Sequence, residues 1–280
     1  TLARFFDEAA PSIVLNATGF AVGSADPADN PLNLPDMPVL QTVFSGSSQE
    51  AWEGGTQGLS ARDLAMNVVL PELDGRVLSR AVSFKADAVR HEATQTSIVT
   101  YRPQDDRIRF AAEFAASWAR LKNAPAEERR IAIVLANYPN RDGRLGNGVG
   151  YDTPASTVNI LKSLAGEGYG VADLPADAKD LMARISAGPT NALAGARAGG
   201  EALSLADYRR HFEALPESVR EEISGRWGAP EDDPFVTDDA FRLAVICFGQ
   251  VVVGVQPARG YNIDPKASYH DPALVPPHGY

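Results

Sequence analysis

Residues 130–161 read RIAIVLANYPNRDGRLGNGVGYDTPASTVNIL, and this stretch decides the fold class. Ile131 to Ala136 is a short apolar run, rich in β-branched residues and without alternating polar positions. Such a run is typical of a strand that is buried on both faces of a parallel sheet. Thr153-Pro154 then predicts the start of a helix, with the threonine hydroxyl as N-cap and proline at the first helical position.

The loop between this strand and this helix, residues 137–152, is polar and rich in glycine. Open α/β sheets bind ligands where a loop leaves the carboxyl end of a strand and enters a helix N-terminus. Glycines let the backbone approach a ligand closely, and a helix start offers free N–H groups to an anion. The loop is therefore a candidate ligand site, although glycines that serve only its turns would explain the same pattern. The four glycines are Gly143, Gly146, Gly148 and Gly150.

Nucleotide-binding signatures are absent from this loop. The pattern G-x-G-x-x-G fails because Tyr151 stands where the third glycine should follow Gly146 and Gly148. The pattern G-x-x-x-x-G-K-[ST] does not occur in the sequence, which excludes a P-loop. The residues alone thus predict a ligand site at a sheet edge without naming the ligand.

Composition and charge narrow the class of protein. The chain has 280 residues, of which 44% are hydrophobic and 22% charged, as in a water-soluble globular protein. A net charge of −10 argues against nucleic acid or an anionic membrane as the main partner. The single cysteine, Cys247, lies in an apolar run and is predicted to be an inert core thiol in a reducing compartment. With no apolar run near the ~20 residues that cross a bilayer, we expect a cytoplasmic protein.

The order of patterns predicts an α/β fold of two Rossmann-like or flavodoxin-like parallel-sheet units joined by a helix. Residues 1–124 form a partial α/β unit plus the linking helix, and residues 125–280 form a second α/β unit, truncated at its C-terminal end. Strands are expected at 12–17 and 39–44, and either a strand or an extended crossover at 76–85. Residues 167–172 are expected to lead into a further strand, and Ser60 and Ser204 to cap helices. The strand at 167–172 would complete a right-handed βαβ crossover.

The linking helix is the clearest helical pattern in the chain. Its large apolar residues recur at helical spacing between Asp105 and Leu121, which favours a core-facing stripe over a cofactor stack. The stripe consists of Phe110, Phe114, Trp118 and Leu121.

Five long stretches resemble one protein family. They are NATGFA (16–21), PVLQTVFSGSSQEAW (38–52), GLSARDLAMNVVLPELDGR (58–76), NYPNRDGRLGNGVGYDTPASTVNIL (137–161) and GVQPARGYNIDPKASYHDPALVPPHGY (254–280). Together they are similar to the large subunit of aerobic cobaltochelatase (CobN type), which is related to the porphyrin-binding H subunit of magnesium chelatase. The resemblance covers nearly the whole chain, and because the family proteins are far longer, it implies an internal piece.

The resemblance implies a function and its partners. The subunit would insert Co²⁺, as substrate metal, into hydrogenobyrinic acid a,c-diamide in aerobic cobalamin biosynthesis. ATP would be used by an AAA+ ATPase subunit and its companion subunit and would not bind here. A family motif with a Leu-Glu pair follows the Pro-Pro-His segment, which lies at 276–278 here, so we expect this piece alone to be inactive. The alternatives are a magnesium-chelatase H subunit acting on protoporphyrin, or a non-catalytic scaffold whose acidic run 231–233 docks the ATPase subunits.

Metal insertion requires groups that grip the macrocycle and groups that remove two pyrrole protons. Arginines, amides and helix N-termini suit the grip, and His, Asp or Glu suits proton removal. Each of these residues could instead be a surface, packing or turn residue, and neither H-E-x-x-H nor C-x-x-C is present to assign metal ligands. We predict substrate contacts for Arg141, Arg144, Asn147, Thr153, Arg259 and Tyr261, and catalytic roles for His278, His270 and Glu72.

These predictions share one geometric expectation. The loop near Asn147 and the tail near His278 should border a single hollow that accepts a flat tetrapyrrole.

Overall fold

The structure is a computed structural model that describes residues 2–23, 30–32, 37–86, 89–137, 145–148, 150–192, 200–261, 271 and 273–280. The chain divides into two compact units, Thr1–Ala124 and Pro125–Tyr280. Each unit contains parallel strands together with helices, so the predicted α/β class is confirmed.

The first unit is built on a four-stranded sheet in the order β1-β2-β3-β6. Strands β1, β2 and β3 are parallel, and β6 is antiparallel to β3. In chain order the elements are α1 (Leu2–Ala9), β1 (Val14–Asn16), β2 (Val39–Ser45), α2 (Gln49–Glu53), α3 (Ala61–Leu64), a π-helical turn (Ala65–Val69), α4 (Leu70–Leu73), β3 (Val77–Lys85), β4 (Val89–His91), β5 (Thr96–Ile98), β6 (Tyr101–Pro103) and α5 (Asp105–Asn123).

The strand predictions at 12–17 and 39–44 are confirmed by β1 and β2, and of the two possibilities for 76–85 the structure has the strand, β3. Strand β2 is central and almost wholly buried, and Val43 packs with Ala81 and Phe84 in a small core. Ser60 caps α3 as predicted, because its hydroxyl accepts a hydrogen bond from Asp63 N at 3.1 Å.

A buried ion pair links the turn before β3 to the rest of the first unit. Arg76 Nη2 lies 2.7 Å from Asp74 Oδ2, and these side chains are 0% and 3% exposed. Asp74 also accepts hydrogen bonds from Val22 N and Gly23 N. Burial raises the pKa of Asp74, but these two backbone hydrogen bonds and Arg76 outweigh it, so the pKa lies below its ordinary value.

The aromatic stripe on α5 is not the core that its spacing predicts. Phe110 and Leu121 are 37% and 46% exposed, whereas the buried residues of the helix are Ala111 and Ala115. The Arg80 guanidinium carbon lies 3.4 Å from the centre of the Phe110 ring. The helix therefore packs most closely through its alanines, and Phe110 lies at the surface under a cation–π contact, while Phe114 and Trp118 are half-buried.

The second unit contains two three-stranded sheets, in the orders β11-β12-β7 and β8-β10-β9. Strand β12 is parallel to β7 and antiparallel to β11, and the other sheet is antiparallel. Its elements are a 3₁₀ turn (Ala126–Glu128), β7 (Ile131–Leu135), α6 (Thr153–Gly166), α7 (Ala178–Ala187), β8 (Glu201–Ser204), α8 (Leu205–Glu213), α9 (Glu217–Trp227), a second 3₁₀ turn (Pro230–Asp232), β9 (Val236–Thr237), β10 (Ala240–Leu243), β11 (Val245–Phe248) and β12 (Val251–Val255).

One face of the β11-β12-β7 sheet carries the core of the second unit. Helices α6 and α7 bury Val158, Leu161, Leu181 and Ile185 against strand residues such as Phe248. The prediction that β7 is buried on both faces is wrong, because Val134 on the opposite face is 63% exposed. Cys247 is likewise exposed and not a core thiol, since it alternates with buried Phe248 along β11.

The predicted strand at 167–172 is also wrong. Only one bridge forms there, between Val171 and Gly249, in antiparallel orientation. Gly249 has φ +71°, and a Cβ on it would lie 2.4 Å from Gly170 O. The turn between β11 and β12 therefore packs directly against residues 170–172, and the strand that pairs in parallel with β7 is β12.

Replacing Asp74 with alanine should lower the free energy of unfolding by about 3–5 kcal/mol at neutral pH, because Arg76 would be left buried without its counter-charge. Glu8→Ala, which removes the exposed Arg4–Glu8 pair, is the control and should cost about 0.5 kcal/mol or less. Urea unfolding followed by tryptophan fluorescence measures both changes.

The effect of Asp74→Ala should also depend on pH. Because the folded-state pKa of Asp74 is lowered, its stabilising contribution is complete above the unfolded pKa of ~3.9 and is lost as the pH falls through the folded value. The difference between wild type and variant should therefore narrow in acid. A difference that is small at pH 7, or that widens in acid, would contradict the assigned ion pair.

Candidate functional site

The glycine-rich loop is attached to the second unit's core where it rejoins the described chain. Leu145 is 6% exposed and packs in the core cluster with Leu135. Gly146 N donates a hydrogen bond of 3.0 Å to Ala136 O, just beyond the end of β7. These contacts hold the loop against the carboxyl end of the parallel β7–β12 pair, the edge at which the sequence predicts a ligand site.

A tight turn then leads into α6. Tyr151 N donates to Gly148 O at 3.2 Å, and Gly150 has φ +78°, a left-handed conformation that glycine adopts without strain. Asp152 is the N-cap of the helix, since its Oδ1 accepts from Ala155 N at 3.0 Å. The prediction that Thr153 caps α6 is therefore wrong by one residue: Thr153 is the first helical residue and Pro154 the second.

The turn and the helix start border a cavity of about 650 Å³. Its described wall includes Asn147, which is exposed, and the substrate contact predicted for this residue stays a prediction. Thr153 is half-buried, and its Oγ1 lies 2.8 Å from where a Cβ on Gly148 would stand. Arg141 and Arg144 lie outside the described residues. The lining residues are Leu145, Gly146, Asn147, Gly150, Tyr151, Asp152 and Pro154.

Tyr151 is the residue of this wall that the sequence prediction overlooked. It was considered only as the position that breaks a glycine signature, yet its side chain is 80% exposed and lines the cavity. A large ring between a glycine and a helix cap, in a loop already predicted to bind a ligand, was the signal that could have identified it.

His278 is buried and fully hydrogen-bonded. Its Nε2 lies 3.0 Å from Gly228 O and its Nδ1 2.7 Å from Tyr208 Oη. Since a carbonyl only accepts, Nε2 is the donor there, and Tyr208 can donate to Nδ1. The ring also packs edge-on against Phe212, with centroids 5.1 Å apart. In this arrangement both ring nitrogens of His278 are used in hydrogen bonds within the second unit.

The tail is held to α9 and its surroundings by further contacts. Trp227 Nε1 donates to Val275 O at 2.8 Å, and Arg259 Nη2 donates to Leu274 O at 3.2 Å. The Tyr261 ring lies 4.7 Å from the Trp227 ring. Arg259 and Tyr261, both predicted to contact substrate, thus make structural contacts in this chain.

Asp233 connects the tail to the acidic run 231–233. It is 2% exposed and accepts hydrogen bonds from Gly279 N and Phe235 N. Burial raises its pKa, and burial together with the nearby Asp233 raises the pKa of Tyr208 to about 12. Asp233 therefore faces inward, which corrects the expectation that the whole run would face a basic partner; Glu231 pairs with Arg209 instead.

A second cavity, of about 220 Å³, lies beside the outer face of the β11-β12-β7 sheet. It is lined by Val134, Gly254 and Val245, which are paired across the three strands, and by Gly279 of the tail. It shares no described lining residue with the cavity at Asn147. The loop and the tail thus line two separate cavities, and the expected single hollow is not seen in the described part of the chain.

Two predicted catalytic residues remain, His270 and Glu72. His270 lies outside the described residues. Glu72 belongs to the first unit, where it is exposed in α4 and its carbonyl accepts a hydrogen bond from Gly75 N at 2.9 Å. Within the described ranges, no group of three or more His, Cys, Asp or Glu side chains is arranged to hold a metal ion. No described helix is both long and apolar enough to cross a membrane.

The fold and the cavity define a class: a mixed α/β protein with a ligand-sized cavity at the carboxyl end of a parallel strand pair. Comparison with known proteins then gives the family. The family model described as CobN/Magnesium Chelatase matches residues 1–280, and the chain belongs to this family.

Individual relatives agree with this assignment. The chain is 57% identical to "Aerobic cobaltochelatase subunit CobN" of Sinorhizobium sp, covering 100% of this chain and 22% of the relative. It is 29% identical to "Magnesium-chelatase subunit ChlH, chloroplastic" of Oryza sativa subsp. indica, covering 95% of this chain and 19% of that protein. The solved "Catalytic Subunit of Cobaltochelatase from Mycobacterium tuberculosis" is similar with a TM-score of 0.77 and 30% identity, over 100% of this chain and 24% of that one. The chain thus spans about a fifth of the length of these relatives.

Replacing His278 with alanine should lower the free energy of unfolding by about 2–4 kcal/mol, because two hydrogen bonds and a buried ring are lost. It should also free the tail, which limited proteolysis would detect as faster cleavage after residue 271. His211→Ala is the matched control, since His211 is exposed on α8 and its removal should change stability by no more than ~0.5 kcal/mol. Equal stabilities for the two variants would show that the His278 ring is not packed as described.

Proposed function

We propose that this chain forms part of the macrocycle-binding, metal-inserting subunit of an ATP-dependent cobaltochelatase, which inserts Co²⁺ into hydrogenobyrinic acid a,c-diamide. The observation that carries the proposal is the cavity of about 650 Å³ at the carboxyl end of β7, in a chain of the CobN/Magnesium Chelatase family.

The residues around the cavity suit the grip on such a ring. The Asn147 amide can both donate and accept hydrogen bonds, and so can bind a carboxylate or an amide at the edge of the macrocycle. Arg141 and Arg144 belong to the same loop by sequence, and their guanidinium groups would pair with peripheral carboxylates. Thr153 lies at the start of α6, where backbone N–H groups and the helix dipole favour a negatively charged edge group.

Insertion of a divalent metal releases N–H protons from the ring nitrogens of the macrocycle, and the groups that accept them are part of the proposal. Glu72 and His270 remain predictions for this step. For His278 we propose a positioning role: its two hydrogen bonds to Tyr208 and Gly228 hold the tail in place, while proton transfer falls to other groups. ATP hydrolysis is assigned to separate partner subunits, an AAA+ ATPase and its companion.

Sequence identity is the reason that we propose cobalt and not magnesium as the inserted metal. The chain is 57% identical to a cobaltochelatase subunit and 29% identical to a magnesium-chelatase subunit over nearly the same length. The scaffold alternative has less support, because Asp233, one of the three residues in the acidic run, is buried.

Titration of the chain with hydrogenobyrinic acid a,c-diamide, followed by absorbance, tests the proposal. We expect a saturable spectral shift, with tighter binding than for protoporphyrin. Asn147→Ala should weaken binding by about 2- to 10-fold and Arg144→Ala by about 10- to 100-fold, as expected for a neutral and a charge-assisted hydrogen bond. Asn123→Ala, at the exposed end of α5, is the matched control and should bind like wild type.

Two results would count against this function. Tighter binding of protoporphyrin would favour the magnesium-chelatase alternative. A chain that gives no spectral shift with either macrocycle but still associates with the ATPase subunits would favour the scaffold.

A further inference from the structure

Tyr151 is unusual among the large apolar and aromatic side chains. In the described part of the chain, its exposed fraction of 80% is the highest of this group, ahead of Leu73 at 76%. Two other aromatic residues of the second unit, Phe241 and Phe248, are almost fully buried. A single exposed ring is common on protein surfaces, but this ring also lines the cavity of about 650 Å³, where a ligand can contact it.

The backbone that carries this ring is held firmly on both sides. On one side the turn is closed by the hydrogen bond from Tyr151 N to Gly148 O and by an antiparallel bridge between the same residues. On the other side Asp152 caps α6 through Ala155 N. The backbone of Tyr151 is thus held in place although its ring touches little protein, so a ligand that binds the ring has to order only the side chain.

Close packing between the turn and the helix supports this placement. A Cβ on Gly148 would lie 2.8 Å from Thr153 Oγ1 and 3.6 Å from Tyr151 Cβ. Glycine at 148 therefore allows the turn to lie directly on the first residue of α6. The result is a compact platform that presents the Tyr151 side chain to the cavity of about 650 Å³.

We propose that Tyr151 is the stacking face of this cavity and binds a planar, conjugated macrocycle ring to ring, an inference that rests on the proposed tetrapyrrole-binding function. An aromatic side chain stacks on a flat π-system without needing particular substituents. Asn147 lies on the same wall and is placed to bind a polar group at the edge of the stacked ring. Tyr151 would thus contact the conjugated face of the ring, and the polar residues of the loop would select the peripheral groups.

Affinity measurements on three variants test this proposal, with hydrogenobyrinic acid a,c-diamide as the probe. Tyr151→Phe keeps the ring and should bind within about 2-fold of wild type. Tyr151→Ala removes the ring and should weaken binding by about 5- to 100-fold. Tyr101→Ala, which removes a half-exposed tyrosine of the first unit, is the matched control and should leave affinity unchanged.

Chemical protection gives a second readout that a merely structural tyrosine would not change. Tetranitromethane nitrates exposed tyrosines, and peptide mass spectrometry locates the modified residues. The free chain should be nitrated at both Tyr151 and Tyr101, and saturating macrocycle should protect Tyr151 alone.

The outcomes separate this proposal from the function on which it rests. If wild type binds the macrocycle and Asn147→Ala weakens binding, but Tyr151→Ala binds normally and Tyr151 stays reactive, the stacking role is overturned while the function stands. If wild type does not bind the macrocycle at all, both are overturned. Weakening by Tyr151→Phe equal to that by Tyr151→Ala would overturn stacking in favour of a role for the hydroxyl.

Discussion

The parallel pairing of β7 with β12 is the constraint on which the second unit depends. These strands are far apart in the sequence, yet Ile131 to Leu135 pair in register with Val251 to Val255. The pairing brings the loop that leaves β7 and the tail that leaves β12 to one edge of the sheet. On the core face of the same sheet, Phe248, Val251 and Val253 pack against helices α6 and α7. The cavity at Asn147 exists because this edge is fixed.

Local features of the fold could be predicted because their causes lie within a few residues. Ser60 and Ser204 cap their helices as expected, since a side-chain hydroxyl needs only the backbone N–H three residues on. At α6 the same rule failed by one position. Asp152 and Thr153 are both good caps, and the choice depends on the turn that precedes them.

Long-range features could not be predicted, because packing partners are not written in the local pattern. The stripe on α5 has ideal helical spacing, but Ala111 and Ala115 lie on the face that meets the sheet, and Arg80 covers Phe110 from outside. Similarly, the apolar run of β7 indicated a strand but not its neighbours. The strand expected at 167–172 does not form. Val171 makes a single bridge there, to Gly249 in the turn between β11 and β12.

The glycine-rich loop and the polar tail show the same difference between local features, which could be predicted, and long-range packing, which could not. A glycine-rich loop before a helix predicts a ligand site with Asn147 as a substrate contact. The structure has a cavity there with Asn147 on its wall, and ligand contact stays a prediction. The polar tail predicts reactive groups. Instead the side chains of His278, Arg259 and Asp233 each form a hydrogen bond to a backbone group, and these bonds hold the tail in place. Residue type alone does not distinguish a histidine that transfers protons from one that fills a polar gap in a core.

Hydrogen–deuterium exchange of the chain, with and without hydrogenobyrinic acid a,c-diamide, tests the central claim most directly. If the macrocycle binds at the carboxyl end of β7, exchange should slow at residues 145–148 and 150–158, while the amides of β2 in the first unit should exchange at the same rate in both samples. Slower exchange confined to β2, or to the sheet of β8, β9 and β10, would place the ligand elsewhere and contradict the account.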